Sequence, residues 1–205
     1  MQKSFNTKKI AIIAFFGALS GLLMIFDFPV PIAPSFMKMD LGELPVMIGG
    51  FLLGPVSSII IAVLKILIKI IIKPTSTMYV GELANLIGSI FYVLPASIIY
   101  SRLKNKKRAV VGLTVGTILA SVACVISNIT FTFPFYMNVF HMSEDVIIGM
   151  CKAIIPSIDS MIKVMLFSVF PFNIVKYGVT SVITYFFYKH ISKVVKNILK
   201  GTSKK

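Results

Sequence analysis

The sequence predicts an all-α integral membrane protein with six transmembrane helices and both termini in the cytoplasm. Three observations carry that prediction: an apolar composition, apolar runs of spanning length, and basic residues gathered at three places along the chain. Of 205 residues, 57% are hydrophobic and only 14% are charged. A soluble domain has about 45–50% apolar and about 25% charged residues. This chain has too little polar surface to cover a globule in water, so a lipid bilayer is its first partner.

A net charge of +14 could point to nucleic acid. Its placement points to a membrane face instead. Lys3, Lys8 and Lys9 precede the first apolar run; Arg102, Lys104, Lys106, Lys107 and Arg108 lie between runs; Lys189, Lys193, Lys196, Lys200, Lys204 and Lys205 close the chain. None of the seven acidic residues falls in these segments, and the remaining lysines equal the acids in number. By the positive-inside rule the three segments face the cytoplasm, and no nucleic-acid partner is expected.

A spanning helix needs ~20 apolar residues. Residues 10–27 form the first run, ended by three prolines between 29 and 34. Residues 41–53 form a short second run, and Gly54-Pro55 then joins a helix stop to a helix start. The third run is 56–73, the fourth 80–101 and the fifth 109–133; the sixth begins near Pro171 and continues to Lys189. The second run is short enough for a re-entrant dip. A dip would put Lys9 and Arg102 on opposite faces, so charge favours a crossing. Residues 1–205 then form a single membrane domain in the cell membrane, with cytoplasmic ends 1–9 and 189–205 and outer loops 28–40, 74–79 and 134–170. Within the last loop, "SEDVIIGMCKAII" and "SIDSMIKVMLFSVF" read as short interfacial helices, the first with Ser143 as N-cap. A seventh crossing is the alternative, and it would place the C-terminal lysines outside.

No enzyme constellation is present: no Walker loop, no HExxH and no Gly-x-Ser-x-Gly. Cys124 and Cys151 have no ligand spacing and read as packing residues; His141 and His190 are isolated, so no metal is expected. No small-residue cleavage site follows the first run. The remaining signal is polar residues in apolar runs, which pair or line a site. Lys65 and Lys69 share a helix face, with Asp40, Glu43 and Glu82 as candidate partners. They either pair internally, with Lys69 and Lys73 snorkelling outward, or touch a ligand. Asn128, Asn173 and Lys176 converge beneath the outer loops if Pro171 stands at N1 of the sixth helix. Phe36, Tyr79, Phe133, Phe135 and Tyr136 supply apolar walls there, or else an interfacial belt.

Four stretches in this order, "MDLGELPVMIGGFLLGP" (39–55), "AVLKILI" (62–68), "GELANLIGS" (81–89) and "PFNIVKYG" (171–178), resemble the riboflavin-specific substrate-binding (S) component of energy-coupling factor (ECF) transporters, the RibU type. The similarity runs from about residue 10 to residue 190. It implies a six-helix subunit that captures riboflavin from outside, as transported substrate and not as cofactor. It also implies partners: a membrane coupling subunit and two cytoplasmic ATPases. At matched positions it implies that Asn128, Asn173 and Lys176 touch the flavin, and that Met39 and Asp40 belong to the substrate-binding set, the backbone at Met39 meeting the ring. Ala14 and Ala18 would meet the coupling subunit; ordinary internal packing is the alternative for them. The chain departs from the pattern in its longer 134–170 loop and in Lys69, where an amide is more usual. Other vitamins share such a fold, and an ion-coupled carrier is a further alternative, although no internal repeat supports one.

Overall fold

The computed structural model describes residues 7–31, 33–34 and 37–200, without the side chains of 192 and 194–200. Lys3, Phe36, Lys204 and Lys205 lie outside the described residues, and so do the side chains of Lys196 and Lys200.

Helix α1 spans Thr7–Ile25 and buries Ile13, Phe16, Gly17, Ser20, Gly21 and Met24, a stripe at three- and four-residue spacing. The stripe packs on α3, Pro55–Ile72. A Cβ on Gly17 would stand 2.8 Å from Leu64 Cβ, and one on Gly21 would stand 2.6 Å from Ile68 Cγ2, so glycine sets how closely the two helices approach. The chain then turns through a minimal antiparallel pair, β1 (Phe28–Pro29) with β2 (Lys38–Met39). Helix α2, Glu43–Leu53, follows. Gly54, at φ 94°, stops α2, and Pro55 starts α3.

Helix α4 covers Val80–Arg102 and packs along α5, Lys106–Ser127. Five helical stretches are long and apolar enough to cross a membrane: Thr7–Ile25, Pro55–Ile72, Val80–Arg102, Lys106–Val139 and Met161–Ile191. The protein is therefore a multi-pass membrane protein, and among the described residues the β1–β2 pair is its only strand structure. The second predicted run, 41–53, is α2, which has 11 residues and rises only ~16 Å, against a hydrocarbon core of ~30 Å. It is buried inside the bundle. Glu43, Val46, Met47, Ile48 and Phe51 are all buried, and α2 packs against α1, α3, α4 and the last helix.

The last two spans differ from their predicted limits for one shared reason. The fifth does not end at 133. After α5 a π-helical turn, Asn128–Thr132, leads straight into α6, Phe133–Val139. The sixth does not begin near Pro171, so Pro171 is not at N1. The helix starts ten residues earlier as α8, Met161–Val164, passes through a π-helical turn, Met165–Val169, and continues as α9, Phe170–Lys200. "SIDSMIKVMLFSVF" is thus mostly the first turns of the last span and not a separate interfacial helix. Each π turn ends two residues before a proline, Pro134 or Pro171. A proline lacks the N–H and crowds the preceding turn, and a π turn re-registers the ladder there. Between these spans lies α7, Glu144–Lys152. Ser143 occupies its N-cap position in extended geometry, but its hydroxyl makes no capping bond.

The interior has two apolar clusters. One runs through the bundle around Val46, Met47, Ile61, Tyr92 and Tyr177. The other, around Met37, Phe133, Ile147, Ile158 and Phe172, closes the end where the 28–40 and 140–160 segments gather. The candidate site lies between them.

Candidate functional site

Beneath these loops lies a cavity of about 390 Å³, lined among others by Asp27, Lys38, Asp40, Lys69, Glu82 and Asn85. A deeper recess of about 120 Å³ adjoins it through Lys38, Gly81, Asn85 and Tyr136, and ends on Asn128, Asn173 and Lys176. The three polar residues singled out in the sequence do share one recess, although they lie on two helices.

Each is held by its own surroundings. Asn128 sits at the start of the first π turn and Asn173 four residues after the end of the second. Asn128 Nδ2 donates to the Cys124 carbonyl at 2.7 Å, and Asn173 Nδ2 donates to the Val169 carbonyl at 2.8 Å. Each amide nitrogen spends one of its two N–H groups on its own helix, so the side-chain oxygen and one N–H of each asparagine remain for a ligand. Lys176 is only 4% exposed. Its ammonium donates to Asp40 Oδ2 at 3.1 Å and to Asn85 Oδ1 at 2.8 Å. A lysine has three donors, so one N–H remains for a ligand in the recess that Lys176 lines.

Asp40 is the support. Its Oδ1 accepts from the Gly42 N–H at 2.8 Å, just ahead of α2. Burial pushes its carboxyl up, but the ammonium of Lys176, the charge of Lys65 and the bonds from Lys176 and Gly42 together hold it below the ordinary carboxylate range. The lysine pairs are resolved accordingly. Lys65 bonds Glu43 and Ser89, and Lys69 bonds Glu82; Asp40 joins neither lysine and takes Lys176. Lys69 does not snorkel, being buried beside Glu82, whose other oxygen accepts from Thr75 and Thr77, both at 3.0 Å. Lys73 reaches Asp27 at 2.8 Å.

The other expected contributors divide between the walls and positions away from them. Met39 is buried in β2, while its neighbours Met37, Lys38 and Asp40 line the cavities. Phe133 and Tyr136 form walls. Tyr79 is 57% exposed and lines neither space, and Phe135 packs edge-on against Phe140. Ala14 and Ala18 are exposed on α1, away from its buried stripe, so they do not pack the interior. Asn85 and Phe140 line the site and were missed. Asn85 had a signal: it stands three residues after Glu82 in an apolar run, hence on the same helix face.

The walls are electrically balanced. Asp27, Asp40 and Glu82 face Lys38, Lys69 and Lys176. Such a space suits an uncharged, polar-edged ligand better than an ion.

Comparison with known proteins bears on the same features. The family model for the ECF transporter substrate-specific component matches residues 8–188. The riboflavin transporter RibU of Staphylococcus aureus (strain TCH60) is 27% identical over 94% of this chain and 95% of its own length. The riboflavin transporter FmnP of Bacillus subtilis (strain 168) is 26% identical over 87% and 88%. RibU of Streptococcus thermophilus is 31% identical over 72% and 70%. A solved S component of a bacterial ECF transporter superposes with a TM-score of 0.70 at 25% identity, covering 92% of this chain and 98% of that one. With an apolar helical bundle, a cavity at one end and a family match across nearly its whole length, this chain belongs to the substrate-specific components of ECF transporters.

Proposed function

We propose that this chain is the riboflavin-capturing subunit of an ECF importer. The observation that carries the reading is the recess where two side-chain amide oxygens, on Asn128 and Asn173, stand with one ammonium donor, on Lys176. The polar edge of a flavin ring alternates carbonyl acceptors with an N–H, and this set answers both. Tyr136 and Phe133 supply flat apolar walls, and the balanced charges of the outer cavity suit an uncharged sugar-alcohol tail. The relatives named above as riboflavin transporters support the same ligand.

The visible spectrum of the purified protein tests the reading at once: a co-purified flavin gives its own absorption bands. The chain contains no Trp, so quenching of flavin fluorescence is the binding readout. Asn128→Ala and Asn173→Ala should each weaken riboflavin by roughly tenfold, since a lost hydrogen bond with an unpaired partner costs ~1–3 kcal/mol. Lys163→Ala should not, because Lys163 lines neither cavity and pairs with exposed Asp159 at 2.5 Å. Unchanged affinity in both asparagine variants would remove the recess from the ligand site.

In this reading the chain crosses the membrane six times, with α2 as the short second crossing, and both termini are cytoplasmic. The basic clusters at 1–9, 102–108 and 189–205 support it. With Cys124 and Cys151 replaced, a cysteine at Ser143 should react with an impermeant thiol reagent in intact cells, and one at Ser101 should not. The reverse pattern would overturn the topology.

A coupling subunit and two cytoplasmic ATPases complete the importer. Ala14 and Ala18 form a small-residue strip on the exposed side of α1, where a partner helix can approach closely. Joint replacement of both by leucine should leave riboflavin binding by the isolated subunit within a few-fold while uptake by cells falls at least tenfold. Equal losses in both assays would assign the alanines to the fold itself.

A further inference from the structure

A second hollow lies on the opposite side of Phe133 from the ligand recess. It is an apolar groove of about 400 Å³ between the fifth and sixth spans, formed by Ile129, Phe133, Met137, Met165 and Leu166, with Glu144 as its acidic member. Phe133 lines both spaces and is 2% exposed, so it is the partition between them. We propose that this groove holds one acyl chain of a membrane phospholipid whose headgroup ammonium meets Glu144. The proposal does not rest on the identity of the ligand in the recess.

Position selects the occupant. The helical stretch Lys106–Val139 has 34 residues and rises ~51 Å, well beyond a ~30 Å core. Its far end, from about Ile129 to Val139, therefore passes from hydrocarbon to headgroup level, and the groove follows it. Ile129, Ile162 and Leu166, which line it, are each more than half exposed, which makes its rim continuous with the lipid-facing surface. A hollow lined this way does not hold water, which needs polar partners. Left empty, its apolar lining would border a void and lose dispersion contacts. At that depth the available filler is hydrocarbon.

Charge selects the headgroup. Five of the seven acids are in ion pairs: Asp27, Asp40, Glu43, Glu82 and Asp159. Glu144 and Asp145, adjacent in the first turn of α7, have no ion pair among the described residues. α7 also has three distinct sides. Ile147 and Cys151 face the protein, Val146 and Met150 are exposed apolar residues, and Glu144, Asp145 and Lys152 are charged. That is the pattern of a helix lying at the interface, with its acids at headgroup level. A carboxylate there attracts an ammonium and repels a purely anionic headgroup.

Native mass spectrometry of the full chain, purified in a mild detergent and titrated with phosphatidylethanolamine or phosphatidylglycerol of equal chain length, tests this. The parent should carry one tightly held phospholipid and prefer phosphatidylethanolamine. Met137→Trp and Leu166→Trp, which fill the groove, should reduce that adduct at least fivefold while the protein stays monodisperse and helical. If either tryptophan variant fails to fold, Leu166→Phe on the exposed rim is read in the same way. Glu144→Gln should keep the adduct and lose the preference. Retention of detergent alone by the parent, undiminished lipid in the filled variants, or an unchanged preference in Glu144→Gln would each overturn the proposal.

Discussion

Replacing Lys176 with alanine is expected to weaken riboflavin binding by about tenfold to a hundredfold, the largest single loss in the recess. Riboflavin is uncharged at neutral pH, so in the proposed role Lys176 is not an anion ligand but a hydrogen-bond donor. Bonds to charged groups contribute ~1.5–3 kcal/mol, and 1.4 kcal/mol is tenfold. The substitution has a second consequence, because Lys176 also neutralises Asp40, which is 4% exposed. A buried charge stripped of its partner destabilises by ~3–5 kcal/mol.

The two effects can be separated. In Lys176→Ala with Asp40→Asn the stranded charge is gone, so thermal stability should recover toward that of the parent. Flavin affinity should remain low, because the ligand's donor is still missing. Asn85→Ala should give a milder loss, since it removes one of the two acceptors that orient the ammonium, at 2.8 Å, and leaves the other. If the double variant regains both stability and affinity, Lys176 acts only as the counter-ion of Asp40.

What the sequence revealed and what it hid divide along a physical line. Charge placement and apolar run length are properties of segments, so the membrane class and five long spans could be read directly. Asn128, Asn173 and Lys176 stood out because a polar group in an apolar run is costly wherever it points. Pairing is a property of the assembled bundle. Asp40 and Lys176 are 136 residues apart, and Asp40 could equally have served Lys65. The limits of the last two spans were misjudged because Pro134 and Pro171 read as boundaries, whereas a π turn ahead of each lets the helix continue. Those same turns bring Asn128 and Asn173 to the recess, so the irregularity that hid the helix limits also builds the site. Asn85 was passed over because the motif around it was read for Glu82 alone.

The second large effect is expected at a residue that lines neither cavity. Lys65→Ala should lower the stability of the protein by ~3–5 kcal/mol, the cost of leaving a buried carboxylate without its cation. Glu43 is 0% exposed and its Oε1 accepts from both Lys65 and Ser89. Its other oxygen has no partner among the described residues, so no spare bond stands ready to compensate. The pair also has an architectural role. Asp40 and Glu43 stand one turn apart where the chain enters α2, and they hold it to two different helices, Asp40 to Lys176 on α9 and Glu43 to Lys65 on α3. A helix of 11 residues cannot be fixed in a bilayer by its own apolar length, so these two bonds and its tight packing must set its depth. Loosening one should therefore disturb the other: Lys65→Ala should weaken flavin binding several-fold through Asp40, without touching the recess. Joint replacement, Lys65→Met with Glu43→Gln, removes both charges and should recover most of the stability, because a buried ion pair is often matched by well-packed neutral side chains. Detergent-unfolding midpoints and flavin fluorescence on the same samples provide the check. A loss below about 1 kcal/mol in Lys65→Ala, the range of surface pairs, would mean that water reaches Glu43 and that α2 is held by packing alone.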